Sequence, residues 1–280
     1  MTGSWSGEER FTKRVEEFRH EVLHFFHDHG RDLPWRQTRD PYRILVSEIM
    51  LQQTQVSRVL PFYTDFLERF PDVETLSRAS EGDVIRTWQG LGYNRRAVYL
   101  KRAASSVCRQ HGGEFPRGHT DLESLPGVGP YTAKAIACFA FDQQVAVVET
   151  NVRKAIRYFA QSVDPLPQSY AIDELADLLL PQGNAWEWNQ AMIDFGALKV
   201  PPMPKTRPSQ PAVRFEETDR FWRGRILANL CEQTHAVSVA RLIRELPEER
   251  DEYRVMRLID ALAADGLIRH DSETNSVQLP

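Results

Sequence analysis

Two carboxylates and one glycine turn are the features of this sequence whose residue types and settings could carry chemistry. Glu48 lies in "ILVSEIMLQQ", three residues after Leu45 and three before Leu51, so on a helix it projects from an apolar face. A carboxylate there loses hydration, which raises its pKa and suits it to donate a proton. The same position also fits an acid at the edge of the face that reaches solvent. Glu149 precedes "TNVRKAI" and opens a helix starting near Val152. The field at a helix N-terminus keeps an acid ionised, as a cation-stabilising group must be, although an acid there is also an ordinary cap. "LPGVGPYTAKAI", from Leu125 to Ile136, sets Gly127 and Gly129 at the mouth of a helix starting near Thr132. Both glycines permit positive φ and the close approach of another backbone. The amides of Gly127 to Tyr131 then point outward at an end of partial positive charge, an anion site unless the turn merely links two helices.

Charge narrows the class of anion. The 280 residues carry a net charge of −4, with 41% hydrophobic and 26% charged residues, which excludes a uniformly basic nucleic-acid binder. A local basic face is still available, because binding depends on where charge sits. Asn94 to Gln110 holds Arg95, Arg96, Lys101, Arg102 and Arg109 and no acid. Cys108, Cys138 and Cys231 are far apart, no two at metal-ligand spacing, so reduced core thiols are expected. "MTGSWSGEER" has no apolar signal core, and no run approaches the roughly 20 apolar residues of a membrane span. A soluble cytoplasmic protein with no membrane partner is the expectation.

The elements that must position these residues read as helices nearly throughout. Phe11–His27 is amphipathic, with Val15, Phe18, Val22 and Phe25 at helical spacing. Further helices are predicted near Arg43–Val56, Leu60–Phe70, Val73–Arg78, Glu81–Thr87, Arg95–His111, Leu122–Leu125, Thr132–Phe141, Val152–Phe159, Tyr170–Leu180 and Trp186–Leu198. Alternating strands are missing from this part, so the main body reads as all-α. "KVPPMPKTRPSQP", from Lys199 to Pro211, has five prolines in thirteen residues and reads as an extended connector. Beyond it, Arg225–Glu232, Val237–Leu246 and Tyr253–Ala264 read as three helices. Asp265 and Gly266 end the third, and "LIRH" with "SVQLP" reads as a hairpin, a winged-helix-like extension.

Several stretches together resemble one family. "LPGVGPYTAKAI" resembles the helix-hairpin-helix of the endonuclease III and MutY superfamily of DNA glycosylases, where the glycine turn grips a DNA phosphate. "PWR…DPYRILVSEIMLQQTQVSRVLPFYTDFLERFP" (Pro34–Pro71), "WQGLGYNRRA" (Trp88–Ala97), "ETNVRKAI" (Glu149–Ile156) and "NQAMIDFGA" (Asn189–Ala197) resemble the MutY branch, in the same order, from about Phe25 to Ala197. The resemblance implies an all-α glycosylase fold of two helical domains, residues 1–33 with 144–198 and residues 34–143, with a cleft between them. A connector at 199–214 and the extension at 215–280 follow. It also implies a monofunctional enzyme of base excision repair, associated with the nucleoid, whose partner is double-stranded DNA carrying a mismatched or damaged base, acting as a monomer. Adenine opposite guanine or 8-oxoguanine is the expected substrate. Thymine, uracil or another damaged base stays open, as does a non-catalytic DNA-binding protein.

Base removal breaks an N-glycosidic bond through an oxocarbenium-like sugar, so a proton donor and a nearby negative charge are both required. The resemblance assigns Glu48 the first role and Glu149 the second. The family usually has aspartate where this chain has Glu149, a longer arm at a site where placement matters. Tyr131 stands where the bifunctional branch has its Schiff-base lysine, and a phenol forms no imine, so strand cleavage by that route is not expected. Gln52, Gln53 and Thr54 match the stretch that enters the duplex. Gln53 is the expected wedge for the hole left by a flipped base, or else a helix residue facing solvent. Tyr93 is expected to stack beside the opposite base or to be a half-buried core aromatic. Arg95, Arg96, Lys101 and Arg102 are expected to track phosphates, and Gly127, Val128, Gly129, Tyr131 and Thr132 to form the hairpin grip. The family continues after "IDFGA" into four cysteines that hold an iron–sulfur cluster; this chain has no cysteine from Phe139 to Leu230. No cofactor is therefore expected beyond a monovalent cation at the hairpin, and Lys199, Lys205 and Arg207 are candidates to keep that loop's DNA contact. The tail "FEETDRFWRGRILANL" resembles the C-terminal part of some bacterial MutY-like proteins and not a NUDIX-type domain.

Overall fold

Helix signals in this chain are local, and most act where the sequence puts them. α1 (Gly7–His29) buries Val15, Phe18 and Val22 as one stripe. The computed structural model describes residues 7–163, 170–201, 214–246 and 252–280. By packing, these residues fall into two units. The first holds the described residues of Met1–Ile44, Arg117–Ser124 and Val128–Lys205, and the second those of Leu45–Pro116, Leu125–Gly127 and Thr206–Pro280. This differs from the expected domains: residues 34–44, 117–124 and 128–143 pack with the first unit, and the extension packs within the second.

The first unit contains α1, α7 (His119–Glu123), α8 (Pro130–Phe141), α9 (Thr150–Gln161), α10 (Ile172–Leu179) and α11 (Ala185–Asp194). Its core is aromatic. Phe18 on α1 meets Phe159 on α9 at 5.0 Å between ring centroids, Phe195 at 5.6 Å and Trp188 on α11 at 6.3 Å. The first pair is tilted and the other two are edge-on, contacts that add to the burial of large apolar rings. Asp194, at the end of α11, is fully buried and accepts hydrogen bonds from the Arg31 amide at 2.8 Å and from Arg36 Nη1 at 2.8 Å. Burial pushes this carboxyl up, but the Arg36 and Arg31 donors outweigh burial and hold it below the usual carboxylate range.

In the second unit, α2 (Pro41–Leu51) leads to α3 (Val56–Arg69), α4 (Val73–Arg78), α5 (Glu81–Trp88) and α6 (Arg95–His111). α2 itself begins in the first unit. Asp72 and Ser80 cap α4 and α5 by accepting from the amides of Thr75 and Asp83, at 2.7 and 3.0 Å. The helix expected to run on to Val56 stops at Leu51 and turns through Gln52–Gln55.

The extension is built as α12 (Asp219–Glu232), β1 (Val237–Ser238), α13 (Val239–Glu245), α14 (Glu252–Ala264), β2 (Arg269–Asp271) and β3 (Ser276–Gln278). The strands order β1-β3-β2, all antiparallel, with Val237 opposite Val277 and His270 opposite Val277 on the other side. That is a winged-helix arrangement. Two details correct the sequence reading. α12 starts earlier, where Thr218 Oγ1 accepts from the Phe221 amide, and Val237–Ser238 is a strand because Ser238 already caps α13. The extension shares one core with helices of the main body: Ile85 of α5 and Val98 of α6 are buried with Trp222, Ile226, Leu258 and Leu262. The Gly82 amide donates to the carbonyl of the last residue, Pro280, at 3.2 Å. Lys205, Arg207 and most of the connector lie outside the described residues.

Candidate functional site

Glu149, in the first unit, is the N-cap of α9. Its Oε1 accepts from the amides of Asn151 at 2.7 Å and Val152 at 3.0 Å, and its Oε2 accepts from Asn151 Nδ2 at 3.2 Å. Val152, Ala155, Ile156 and Phe159 bury the opposite side of α9 and fix the helix that aims this carboxylate. A second contact fixes it from the front. The wide, π-type turn Phe195–Lys199 crosses the start of α9 so closely that a Cβ on Gly196 would lie 1.9 Å from the Asn151 carbonyl oxygen. Lys154 Nζ donates to the Gly196 carbonyl at 2.6 Å across the same contact. Only glycine fits there, so "IDFGA" acts in the fold by seating the first turn of α9.

The glycine turn behaves differently at its two glycines. Gly127 has φ +79, and a Cβ on it would meet Tyr99 Cβ at 2.7 Å. Gly129 has φ −97 and ψ −179, extended backbone open to other residues, and there is open space where its Cβ would lie. The expected need for positive φ therefore holds for Gly127 alone; at Gly129 the small side chain leaves room in front of the helix. α8 starts two residues earlier than expected, with Pro130 at its first position, where the missing N–H is no loss. The side chains of Val128 and Thr132 are buried and that of Tyr131 is half-buried. What Val128 and Thr132 can offer a ligand is therefore their backbone.

Glu48, in the second unit, sits on α2 at 7% exposure between buried Ser47 and Ile49. The solvent-reaching alternative is excluded by that burial. The C-terminal carbonyls of α2 are then collected by Arg96. Its Nη1 donates to the carbonyls of Ile49, Met50 and Gln52 at 2.9, 2.7 and 2.6 Å, and its Nη2 to Gly92 O at 2.9 Å and Thr54 Oγ1 at 3.1 Å. Carbonyls at a helix end have no partner within the helix, and one planar guanidinium satisfies two of them together with the Gln52 carbonyl of the turn that follows. This corrects the phosphate role expected for Arg96: the side chain is buried at 7% exposure. Burial lowers its pKa to about 10. Held by Arg96, the turn leaves Gln53 exposed with φ 53, off the helix it was expected to share. Gln52 and Thr54 are half-buried, the backbone carbonyl of Gln52 and the hydroxyl of Thr54 tied to Arg96.

Tyr93 is exposed, not the half-buried core residue that was one alternative, and has φ 49. Two guanidiniums approach its ring, Arg96 at 5.4 Å and Arg220 at 3.9 Å from the centroid, and its hydroxyl accepts from Arg220 Nη1 at 2.9 Å. Arg95 is exposed, over the Tyr99 ring and 3.4 Å from Asp265. Lys101 and Arg102 bond to Ser105 and Glu81 on the surface. Within the second unit, Gln53, Tyr93, Arg95, Tyr99 and Gly127 line one groove of about 1070 Å³. The groove's far wall is Phe215, Arg220 and Arg223 of the extension, which reasoning from sequence missed. The arginines at 220, 223 and 225 were the available signal.

The cysteines do not form a cluster-ligating set. Cys138 lies inside the first unit with Asn189 Nδ2 donating to its Sγ at 3.3 Å, and burial pushes its thiol up to about 11. Cys108 and Cys231, in the second unit, approach Val73 O and Gln89 Oε1. Among the described residues no three His, Cys, Asp or Glu side chains meet as a metal site. No helix among them is long and apolar enough to cross a membrane.

Comparison with known proteins places this geometry. The family model "HhH-GPD superfamily base excision DNA repair protein" matches residues 46–178. The adenine DNA glycosylase of Mycolicibacterium smegmatis is 34% identical over 277 residues, covering 90% of this chain and 93% of that protein. A thymine/uracil-DNA glycosylase of Methanothermobacter thermautotrophicus is 36% identical over 193 residues, covering 68% of this chain and 87% of that protein. Among solved structures, a thermostable thymine-DNA glycosylase matches with a TM-score of 0.63 at 34% identity, over 69% of this chain and 91% of that one.

Proposed function

The chain belongs to the HhH-GPD superfamily of base excision DNA repair proteins, and we propose that it is a monofunctional DNA glycosylase that removes adenine mispaired with guanine or 8-oxoguanine. One observation carries the choice of adenine: the likeness to an adenine DNA glycosylase runs over 90% of this chain and therefore into the extension. The likeness to the thymine/uracil enzyme covers 68%.

In this reading the buried Glu48 donates the proton that the leaving base needs, and Glu149, anchored by two backbone amides, supplies the negative charge that steadies the cationic sugar. Water completes the hydrolysis and an intact abasic site remains. Open space at Gly129 and the first amides of α8 receive a DNA phosphate. The enzyme works as a monomer on double-stranded DNA and without an iron–sulfur cluster, since its thiols cannot supply four ligands. Thymine or uracil from a mismatch is the second reading, favoured by the archaeal relative and the solved thymine-DNA glycosylase.

Single-turnover excision from duplexes with A:8-oxoG, A:G, T:G, U:G and hypoxanthine, followed by alkali cleavage, separates the two. Adenine release from A:8-oxoG and A:G at rates well above the others is expected. Faster release from T:G or U:G would replace the first reading by the second, and no release from any duplex would leave a DNA-binding protein.

A further inference from the structure

A winged-helix domain meets DNA most often through its last helix and its hairpin. In this extension that face is unsuited to a polyanion. On α14, Arg254 and Arg257 are both held by Asp219, at 3.1 and 2.7 Å, and Glu252 and Asp260 are exposed beside them. The hairpin sets exposed Asp271 and Glu273 against a single exposed cation, Arg269.

The side of the extension that lines the groove has the charge and the shape. Its first helix, α12, forms one wall of the groove that also contains Gln53 and Tyr93. Among the described residues lining that groove, arginines outnumber acids six to one, the acid being Asp265. Asp265 holds Arg223 of α12 and Arg95 of α6 side by side, so it fixes two of these arginines. Arg220 is set differently. It is exposed, has its guanidinium carbon 3.9 Å from the centre of the Tyr93 ring, and donates one N–H to the Tyr93 hydroxyl. With Arg96 against Tyr93 as well, a base cannot stack on the tyrosine face that Arg220 covers. The planar group presented to the groove at this point is the guanidinium itself, oriented before any ligand arrives. Arginine held in this way hydrogen-bonds phosphate in a fixed geometry and stacks on bases.

We propose that the C-terminal extension is part of the DNA-binding surface, reaching the duplex through α12 and not α14, with Arg220 on Tyr93 as its contact with the strand beside Gln53. In taking DNA as the ligand this rests on the glycosylase reading; the placement of the contact does not.

Full-length protein and a duplex carrying a tetrahydrofuran abasic-site analogue test it, because that duplex is bound but cannot be excised. Arg220→Ala is expected to weaken equilibrium binding about tenfold. If the contact is to phosphate, the slope of log affinity against log salt falls by about 0.9 and Arg220→Lys restores it. If it is to a base, the slope holds and the preference among bases opposite the analogue is lost. Arg225→Ala serves as a second variant, exposed on the same wall, and should also lower the slope. Arg257→Ala on α14 should leave binding within twofold. Unchanged affinity, slope and base preference in Arg220→Ala would overturn the proposal. So would tighter binding, which would make Arg220 a cover over Tyr93, or a larger loss in Arg257→Ala. Failure of the wild type to bind any duplex would instead sink the glycosylase reading itself.

Discussion

The guanidinium of Arg96 holds the carbonyl of Gln52 at 2.6 Å, and through that bond α6 shapes the turn that exposes Gln53. Its neighbour Arg95 faces the other way, exposed over Tyr99.

The two arginines should therefore fail differently. Arg96→Ala strands several carbonyls and should destabilise the protein by about 3 kcal/mol or more, since each orphaned buried acceptor is worth about 1–3 kcal/mol. Arg95→Ala should leave stability within about 0.5 kcal/mol and lower the salt slope of DNA binding by about 0.9. Urea unfolding and salt-dependent binding, measured on both, check this; equal stability of the two would remove Arg96 as the support of the turn.

Glu149→Gln keeps an oxygen for the Asn151 and Val152 amides and removes the charge. Stability should stay within about 1 kcal/mol, while single-turnover excision falls at least about 100-fold and DNA affinity holds or rises. Glu149→Asp, the commoner residue of the family, should retain measurable activity. Excision by Glu149→Gln at the wild-type rate would reduce Glu149 to a cap.

Gly196→Ala drives a methyl group into the Asn151 carbonyl. α9 must shift to admit it, at a cost of about 1–3 kcal/mol, and Glu149 shifts with its helix. The excision rate should fall by more than about tenfold with DNA affinity near that of the wild type. An unchanged rate would show that the π-type turn does not position Glu149.

Asp194 links stability to pH. Its folded-state pKa lies below the ordinary value, so the folded chain binds this proton less tightly than the unfolded chain. The contribution is complete above the unfolded value, about 3.9, and is lost as pH falls through the lower folded value. Asp194→Asn leaves Arg36 buried without its counter-charge and should cost about 3–5 kcal/mol at neutral pH. The gap from wild type should narrow only below about pH 4; a gap already closing near pH 6 in urea titrations would assign the effect to another group.

Tyr131 offers no amine. Borohydride treatment during the reaction should trap no covalent protein–DNA adduct, and the abasic product should stay unnicked until alkali is added. A trapped adduct lost in Lys134→Ala would make Lys134, one turn along α8 from Tyr131, the amine, and one that survives it would mean that another lysine forms the imine.

Local chemistry was decided by the sequence. Apolar spacing made α1, α4 and α6 helices, Pro130 and Gly129 opened α8, Gly127 required its positive φ, and Glu149 capped α9, because each depends on residues a few positions away. The same locality made the order of motifs legible as that of a glycosylase, down to the carboxylate on α2 and the missing cysteines. What only the tertiary structure decided is where side chains of like character end up. Arg95 and Arg96 are adjacent and chemically identical, yet one side chain reaches solvent and the other is buried, because the open C-terminal carbonyls of α2 lie on one side of α6. Tyr93 could be read as a base-stacking platform until Arg220, 127 residues away in sequence, was found on its face. A pattern of spacing carries no term for a partner so distant along the chain, and the packing of Ile85 and Val98 with the extension's core is what brings that partner in.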